Sequence, residues 1–252
     1  MRFVLATGNR HKLREFRAVF APHPVVTMPA GIVLPPEGVK SFRANAVQKA
    51  RGLAAALAAD PAALAQVMSE VGGPPPVFQD PLILLADDSG LEVEVLRWAP
   101  GVTSARFAGD GAGDAANVAK LLSKLEGYSL QKRRARFVCV AAAVLIPSTP
   151  GDQKAKRPKE AGAGALLPAM DAGTIGFPPS LREYVATGEW WGTITTEPRG
   201  DGGFGYDPVF LPIGSELTVA QLPQEVKDQA SHRALAGRAL LVLLQREELL
   251  EH

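Results

Sequence analysis

The run "RFVCVAAAVLI", residues 136–146, constrains the fold more than any other stretch of this chain. Past its first residue it is wholly apolar, so as a strand it has no face left for water. It reads as a central strand that other elements must cover. Neither it nor "ALLVLL" near the C-terminus is long enough to span a bilayer.

Helical periods supply the cover. Leu13, Phe16, Val19 and Phe20 recur at helical spacing over 11–20. Phe42, Ala46, Leu53 and Leu57 do so over 41–59, behind Ser41 as N-cap, and Val118, Leu121, Leu122 and Leu125 over 114–127. A last helix starts at Ser231. Further strands are expected at 2–6, at "LILLA" (82–86), at the alternating "LEVEVL" (91–96), at "WWGTITT" and at "VFL". A Pro- and Gly-rich loop is expected between the first helix and Glu37. Strands and helices mixed in this order predict one α/β domain over 1–252. Two stretches break the pattern: 60–81, with "GGPPP", and 147–183, rich in Pro, Gly, Lys and Ala. Both are expected as surface insertions, the second disordered.

A formal net charge of +1 argues against a broad footprint for nucleic acid but leaves room for a local anion site. The single cysteine, Cys139, rules out a disulfide within the chain. Charged residues at Arg10, Lys12, Arg14 and Glu15 leave no signal-peptide pattern, so a cytoplasmic protein without a membrane partner is expected.

Five motifs carry chemistry. "TGNRHK" joins a strand to a helix N-terminus, where free N–H groups and the helix dipole suit a phosphate; Lys12 lies where that dipole disfavours a cation, a conflict an anion would resolve. In "LLADDSGL" an apolar run stops at Asp87 and Asp88, adjacent carboxylates that suit Mg²⁺ and point to opposite sides of a strand; an Asx turn is the plain alternative. Asn45 and Lys49 share one helical face, away from Phe42 and Leu53, which as an ordinary stripe would be solvated. "PRGDGGFGYDP" holds G-x-G-x-x-G, but Pro208 and Pro212 forbid the helix a dinucleotide fingerprint needs. What remains is a glycine loop displaying Phe204, Tyr206 and Asp207, with Phe204 either stacked on a base or buried in the core. In "KDQASHR", Lys227, His232 and Arg233 gather cations near a helix start, and an anionic or carbonyl-bearing ligand would account for them.

Together, "ATGNRHKLREF", "FRANAVQKA", "ADDSGLEVEVL" with "APGVTSARFAG", "GFGYDPVF" and "SHRALA" resemble, in order, the ITPase-like purine nucleoside triphosphate pyrophosphatases of the bacterial dITP/XTP pyrophosphatase type. The resemblance implies an elongated mixed β-sheet with flanking helices and two lobes around a central cleft, usually a homodimer. It implies Mg²⁺-dependent hydrolysis of inosine and xanthine triphosphates to monophosphate and pyrophosphate, cleansing the nucleotide pool. By motif, Thr7, Gly8, Asn9, Arg10, His11 and Lys12 would hold the phosphates with Lys49. Glu37, Asp87 and Asp88 would serve the metal, with Asp88 as proton acceptor. Ser89 would touch substrate, and Phe204, Gly205, Tyr206, Asp207, Lys227, His232 and Arg233 would form the base pocket. Ala44 stands where relatives often carry a glutamate. The competing readings are a septum-formation-like pyrophosphatase for pyrimidine or modified nucleotides and a catalytically silent nucleotide-binding module.

Overall fold

The computed structural model describes residues 1–71, 82–146 and 181–250, the side chains of 247–250 excepted. Among the described residues six strands form one mixed sheet: β1 (Arg2–Leu5), β2 (Val25–Thr27), β3 (Leu82–Val93), β4 (Arg134–Ile146), β5 (Arg182–Ile194) and β6 (Phe210–Pro212). Their spatial order is β2-β1-β3-β4-β5-β6; β1 is parallel to β2 and β3, and the remaining neighbours pair antiparallel. The apolar run at 136–146 lies within β4, at the centre.

Both faces of the sheet are covered, which is why its central strands lack polar alternation. On one face α2 (Phe42–Ala59) and α3 (Pro61–Glu70) bury Val4, Leu84, Ala86 and Val140. On the other, α1 (Arg10–Phe20) and α6 (His232–Leu250) bury Phe3, Leu5, Ile83, Leu85 and Cys139. Beyond Asp87–Gly90 the sheet carries a third cluster, in which Leu91, Val93, Phe137 and Ile194 meet Val118 and Leu121 of α4 (Asp114–Lys124) and Tyr206, Val209 and Phe210. This is the second lobe. The central "DDSG" falls where the clusters meet.

Several boundaries differ from expectation. "LILLA" and "LEVEVL" are not two strands: β3 runs unbroken from Leu82 to Val93, and Glu94–Leu96 is a 3₁₀ turn. The polar Asp-Asp-Ser-Gly stays extended because β4 pairs with every residue of it, Asp87 opposite Ala141 and Gly90 opposite Val138. The carboxylates therefore lie mid-strand, not at a strand end. The loop before Glu37 contains β2. Within 60–81, α3 buries Ala63, Val67 and Met68 in the core, so the surface reading is corrected there; 72–81 lies outside the described residues. The stretch 147–183 ends earlier than expected, since β5 starts at Arg182; 147–180 lies outside the described residues. A short helix, α5 (Gln224–Ala230), carries Lys227.

Gly90 has a packing reason to be glycine. A side chain there would collide with the Gly101 carbonyl and the Ser104 hydroxyl of the 3₁₀ segment Gly101–Arg106. Ser104 Oγ accepts the Leu91 N–H at 2.8 Å, which fastens that segment to β3.

Candidate active site

After β1 the chain must pass from extended to helical, and Thr7 and Asn9 make the corner with their own side chains. Thr7 Oγ1 accepts the Asn9 N–H at 3.1 Å, and Asn9 Oδ1 caps α1 by accepting the N–H groups of His11 and Lys12. Gly8, Arg10 and His11 are exposed on the rim. Lys12 turns inward instead. Its Nζ lies 2.9 and 2.8 Å from the two Asp87 oxygens, so the anion its position called for is supplied by the protein itself.

Because successive strand residues face opposite ways, Asp87 and Asp88 serve different neighbourhoods. Asp87 meets Lys12, the Ser89 hydroxyl at 3.3 Å and Arg233 Nε at 3.6 Å. Burial alone would push its carboxyl up, but the charges of Lys12, Arg233 and Lys49 outweigh that and hold it well below the carboxylate range. On the other side, Asp88 Oδ2 accepts from Asn45 Nδ2 at 2.7 Å and Oδ1 from the Ser89 N–H at 3.0 Å. Burial raises the Asp88 carboxyl above its ordinary value; the Asn45 bond and Lys49 pull it down, the Glu37 charge pushes it up, and the rise prevails. Two adjacent carboxyls with opposed shifts are the pattern of a fixed anion beside a proton acceptor.

The Asn45–Lys49 face of α2 is not a solvated stripe. Both side chains are buried, 2% and 8% exposed. Lys49 Nζ donates to Glu37 Oε1 at 2.8 Å. Burial pushes Glu37 up, yet the Lys49 hydrogen bond with the charges of Lys49, Lys12 and Arg106 holds it below its ordinary value. Burial likewise disfavours the Lys49 charge, but Asp87, Glu37 and Asp88 keep its ammonium above the usual range.

The glycine loop presents Phe204 between Gly203 and Gly205, both left-handed at φ 77° and 62°. The Phe204 ring is half-buried, with Lys227 Nζ at 4.6 Å and Arg233 Cζ at 5.1 Å over it and the His11 ring 5.1 Å away. Tyr206 is a core residue whose hydroxyl donates to the Ser104 carbonyl at 2.9 Å. The cations of "KDQASHR" are already paired. Lys227 Nζ lies 2.6 Å from Asp207 Oδ2 and 3.3 Å from Glu15 Oε1. Arg233 donates to Glu15 Oε2 at 3.1 Å and to the Ser89 hydroxyl at 2.8 Å. Asp207, Lys227, Glu15, Arg233, Asp87 and Lys12 thus form a row of alternating charges. His232 stacks on Phe137 at 4.8 Å, and burial with the charges of Arg233 and Lys227 holds its pKa well below the ordinary value, leaving it neutral. His232 Nδ1 and Arg233 Nε are buried and have no hydrogen-bond partner among the described residues.

One cavity of about 220 Å³ joins the two groups. Asn9, Lys12, Glu37, Asp88 and Ser89 line it from the first; Phe204–Asp207, His232 and Arg233 line it from the second. Of the residues expected at the site, Thr7, Gly8, Arg10, His11, Lys49, Asp87 and Lys227 are not on its wall. Asp87 is not brought together with Glu37 and Asp88, because it points away from Asp88 and is held by Lys12; the expected set of three carboxylates reduces to two. Among the described residues no three His, Cys, Asp or Glu side chains converge as a complete metal site. Two carboxylates facing one cavity nonetheless fit Mg²⁺, which keeps several waters and takes its other ligands from substrate phosphates.

Sequence reasoning passed over Glu15 and left Asn45 out of the site. Each had a signal. Glu15 sits three residues after Lys12, and Asn45 four before Lys49, so each shares a helical face with an expected phosphate ligand.

A family model described as the Ham1 family matches residues 3–243. Proteins named dITP/XTP pyrophosphatase are similar along nearly the whole length. The one from Xanthomonas oryzae pv. oryzae is 37% identical over 236 residues, 92% of each chain. That from Mycobacterium bovis is 38% identical over 250 residues, 96% of this chain and 93% of its own. Among solved structures, the Staphylococcus aureus Ham1 protein superposes with a TM-score of 0.66 at 30% identity, covering 98% of this chain and 100% of that one.

Proposed function

The chain belongs to the Ham1 family, and on that premise we propose that it hydrolyses non-standard purine nucleoside triphosphates, those of inosine, deoxyinosine and xanthosine, to monophosphate and pyrophosphate. The observation that carries this reading is a single cavity in which a carboxylate–lysine group and an aromatic ring backed by cations face one ligand space.

Cleaving a triphosphate requires charge neutralisation, an aligned water and a base. Asp88 is the base. Its raised carboxyl and the Asn45 bond suit it to orient the water and take its proton. Lys12, with Lys49 behind it, faces the phosphates. Glu37 and Asp88 would hold Mg²⁺, which when bound neutralises phosphate charge. Phe204 receives the base. Arg233, on the cavity wall, offers guanidinium donors to a 6-oxo group, whereas adenine presents an amino donor there. A cytoplasmic location and a homodimer complete the reading, resting on the family resemblance. Among the described residues no single helix is long and apolar enough to cross a membrane.

The test is a panel of ITP, dITP, XTP, GTP and ATP with MgCl₂, pyrophosphate and phosphate being measured separately. ITP, dITP and XTP should exceed GTP, with ATP lowest, and pyrophosphate should be the product. Asp88→Asn should fold and bind nucleotide but lose roughly 10²-fold or more in kcat. ATP turned over as fast as ITP would sink the specificity; near-normal turnover by the folded variant would remove Asp88 from the chemistry.

A further inference from the structure

The first turn of α4 carries two polar residues at i and i+3, Asp114 and Asn117, that none of the steps above uses. Both tie down the cavity wall. Asn117, 2% exposed, accepts the Ala108 N–H at 2.7 Å and donates to the Ala105 carbonyl at 3.1 Å, so it holds the segment that brings Ser104 and Ala105 to the cavity. Asp114 lies on the cavity wall itself, and its Oδ2 accepts the Gly205 N–H at 2.6 Å.

That bond is one of a pair. The Phe204 N–H donates to Asp207 Oδ2 at 3.0 Å. The peptide groups before and after the Phe204 Cα therefore each end on a carboxylate, one from the loop itself and one from α4. With both peptide planes fixed, the direction of the Phe204 Cα–Cβ bond is fixed too. Asp207 is also engaged by Lys227, whereas the bond from Asp114 joins the loop to a separate element. Among the described residues nothing lies within 4 Å of where a Gly205 side chain would begin, so the glycine there answers to its left-handed backbone and not to crowding. A loop with Gly200, Gly202, Gly203 and Gly205 has wide conformational freedom, and without an anchor it would lose that freedom on binding.

We propose that Asp114 is a positioning residue for base recognition: it holds the Gly205 amide and thereby the Phe204 ring that the purine stacks on. This rests on the reading above in which Phe204 receives the base. The phosphate-facing groups, Lys12, Glu37 and Asp88, come from other elements, so loss of Asp114 acts on base affinity and leaves the chemical step alone.

The experiment compares wild type, Asp114→Ala, Asp114→Asn and Phe204→Ala, with ITP as substrate and inorganic pyrophosphate as a baseless inhibitor. Asp114→Ala should raise KM for ITP roughly tenfold, the loss of one hydrogen bond to a charged acceptor, with kcat within about twofold. The pyrophosphate inhibition constant should not move. Asp114→Asn keeps an acceptor oxygen and should return KM to within about threefold of wild type. Phe204→Ala should raise KM at least as much as Asp114→Ala. If Phe204→Ala raises KM and Asp114→Ala does not, the positioning role is wrong and the base reading stands. If Phe204→Ala leaves KM unchanged, the base reading itself fails and the inference with it. A parallel loss in kcat, KM and pyrophosphate inhibition would mean general damage to the fold. Asp114→Asn as impaired as Asp114→Ala would mean that charge matters, not the bond. Either result overturns the proposal.

Discussion

At the scale of single residues, the site works by giving neighbouring groups opposite surroundings. Asp87 is an anion locked among cations; Asp88, one peptide on, is pushed toward protonation and restrained by Asn45. The restraint makes a testable sign. Asn45 donates to the charged form of Asp88, so removing it should raise that carboxyl further. A base must be ionised, so the acid limb of kcat/KM should move to higher pH in Asn45→Ala, with activity falling more at pH 6 than at pH 8. An unmoved limb in a folded, active variant would show that Asp88 is not the group that titrates. Residues of this kind were only half legible in the sequence. Asn45 lies 43 positions from Asp88, and Glu15 lies 218 from Arg233. Spacing along a helix shows that such a residue shares a face with a lysine, but burial and partner come from elements far away in the chain.

At the scale of elements, legibility followed length and packing. The helices at 10–20, 42–59 and 114–124 were readable because each presents a long apolar stripe, and Ser41 does cap α2 by accepting the Ala44 N–H at 3.3 Å. Val25–Thr27 and Gln224–Ala230 are too short for any period to show. β3 was split in expectation because its polar centre interrupts the apolar pattern, while the pairing that keeps it extended is tertiary. At Gly90, β3 and the segment Gly101–Arg106 approach closely. Gly90→Ala should force that segment off the strand and loosen the Ser104 bond to Leu91. We expect a loss of stability of about 1–3 kcal/mol, as for overpacking elsewhere, together with a raised KM because Ser104 and Ala105 line the cavity. Equal thermal midpoints for variant and wild type would show the contact to be slack.

For the whole molecule, the sheet faces, the covering helices and the order of the motifs were legible, and the family follows from them; the row of buried charges between the lobes was not. His232, beside that row, makes stability depend on pH. His232 is neutral in the fold and its pKa lies well below that of the free side chain, so the unfolded chain binds a proton that the native one does not. Stability from this group is present above the ordinary histidine pKa near 6.5 and is lost as pH falls below it. Between pH 7.5 and 6 the loss should be about 1 kcal/mol, a drop in midpoint of roughly 2–4 °C. His232→Gln should flatten that slope; an equal slope in the variant would assign it to another group. The unbroken pairing of β3 with β4 has one more consequence. Asp87 and Asp88 differ only in which side of a pleated ribbon they occupy, so their roles are assigned by parity and not by chemistry. One residue inserted between Leu82 and Ala86 would, if the strand kept its hold on α1 and β1, move Asp87 into the place of Asp88, against Asn45, and Asp88 into that of Ser89, on the Arg233 side. A substitution in that stretch leaves the parity as it is, but a change in length there exchanges the faces of the active site.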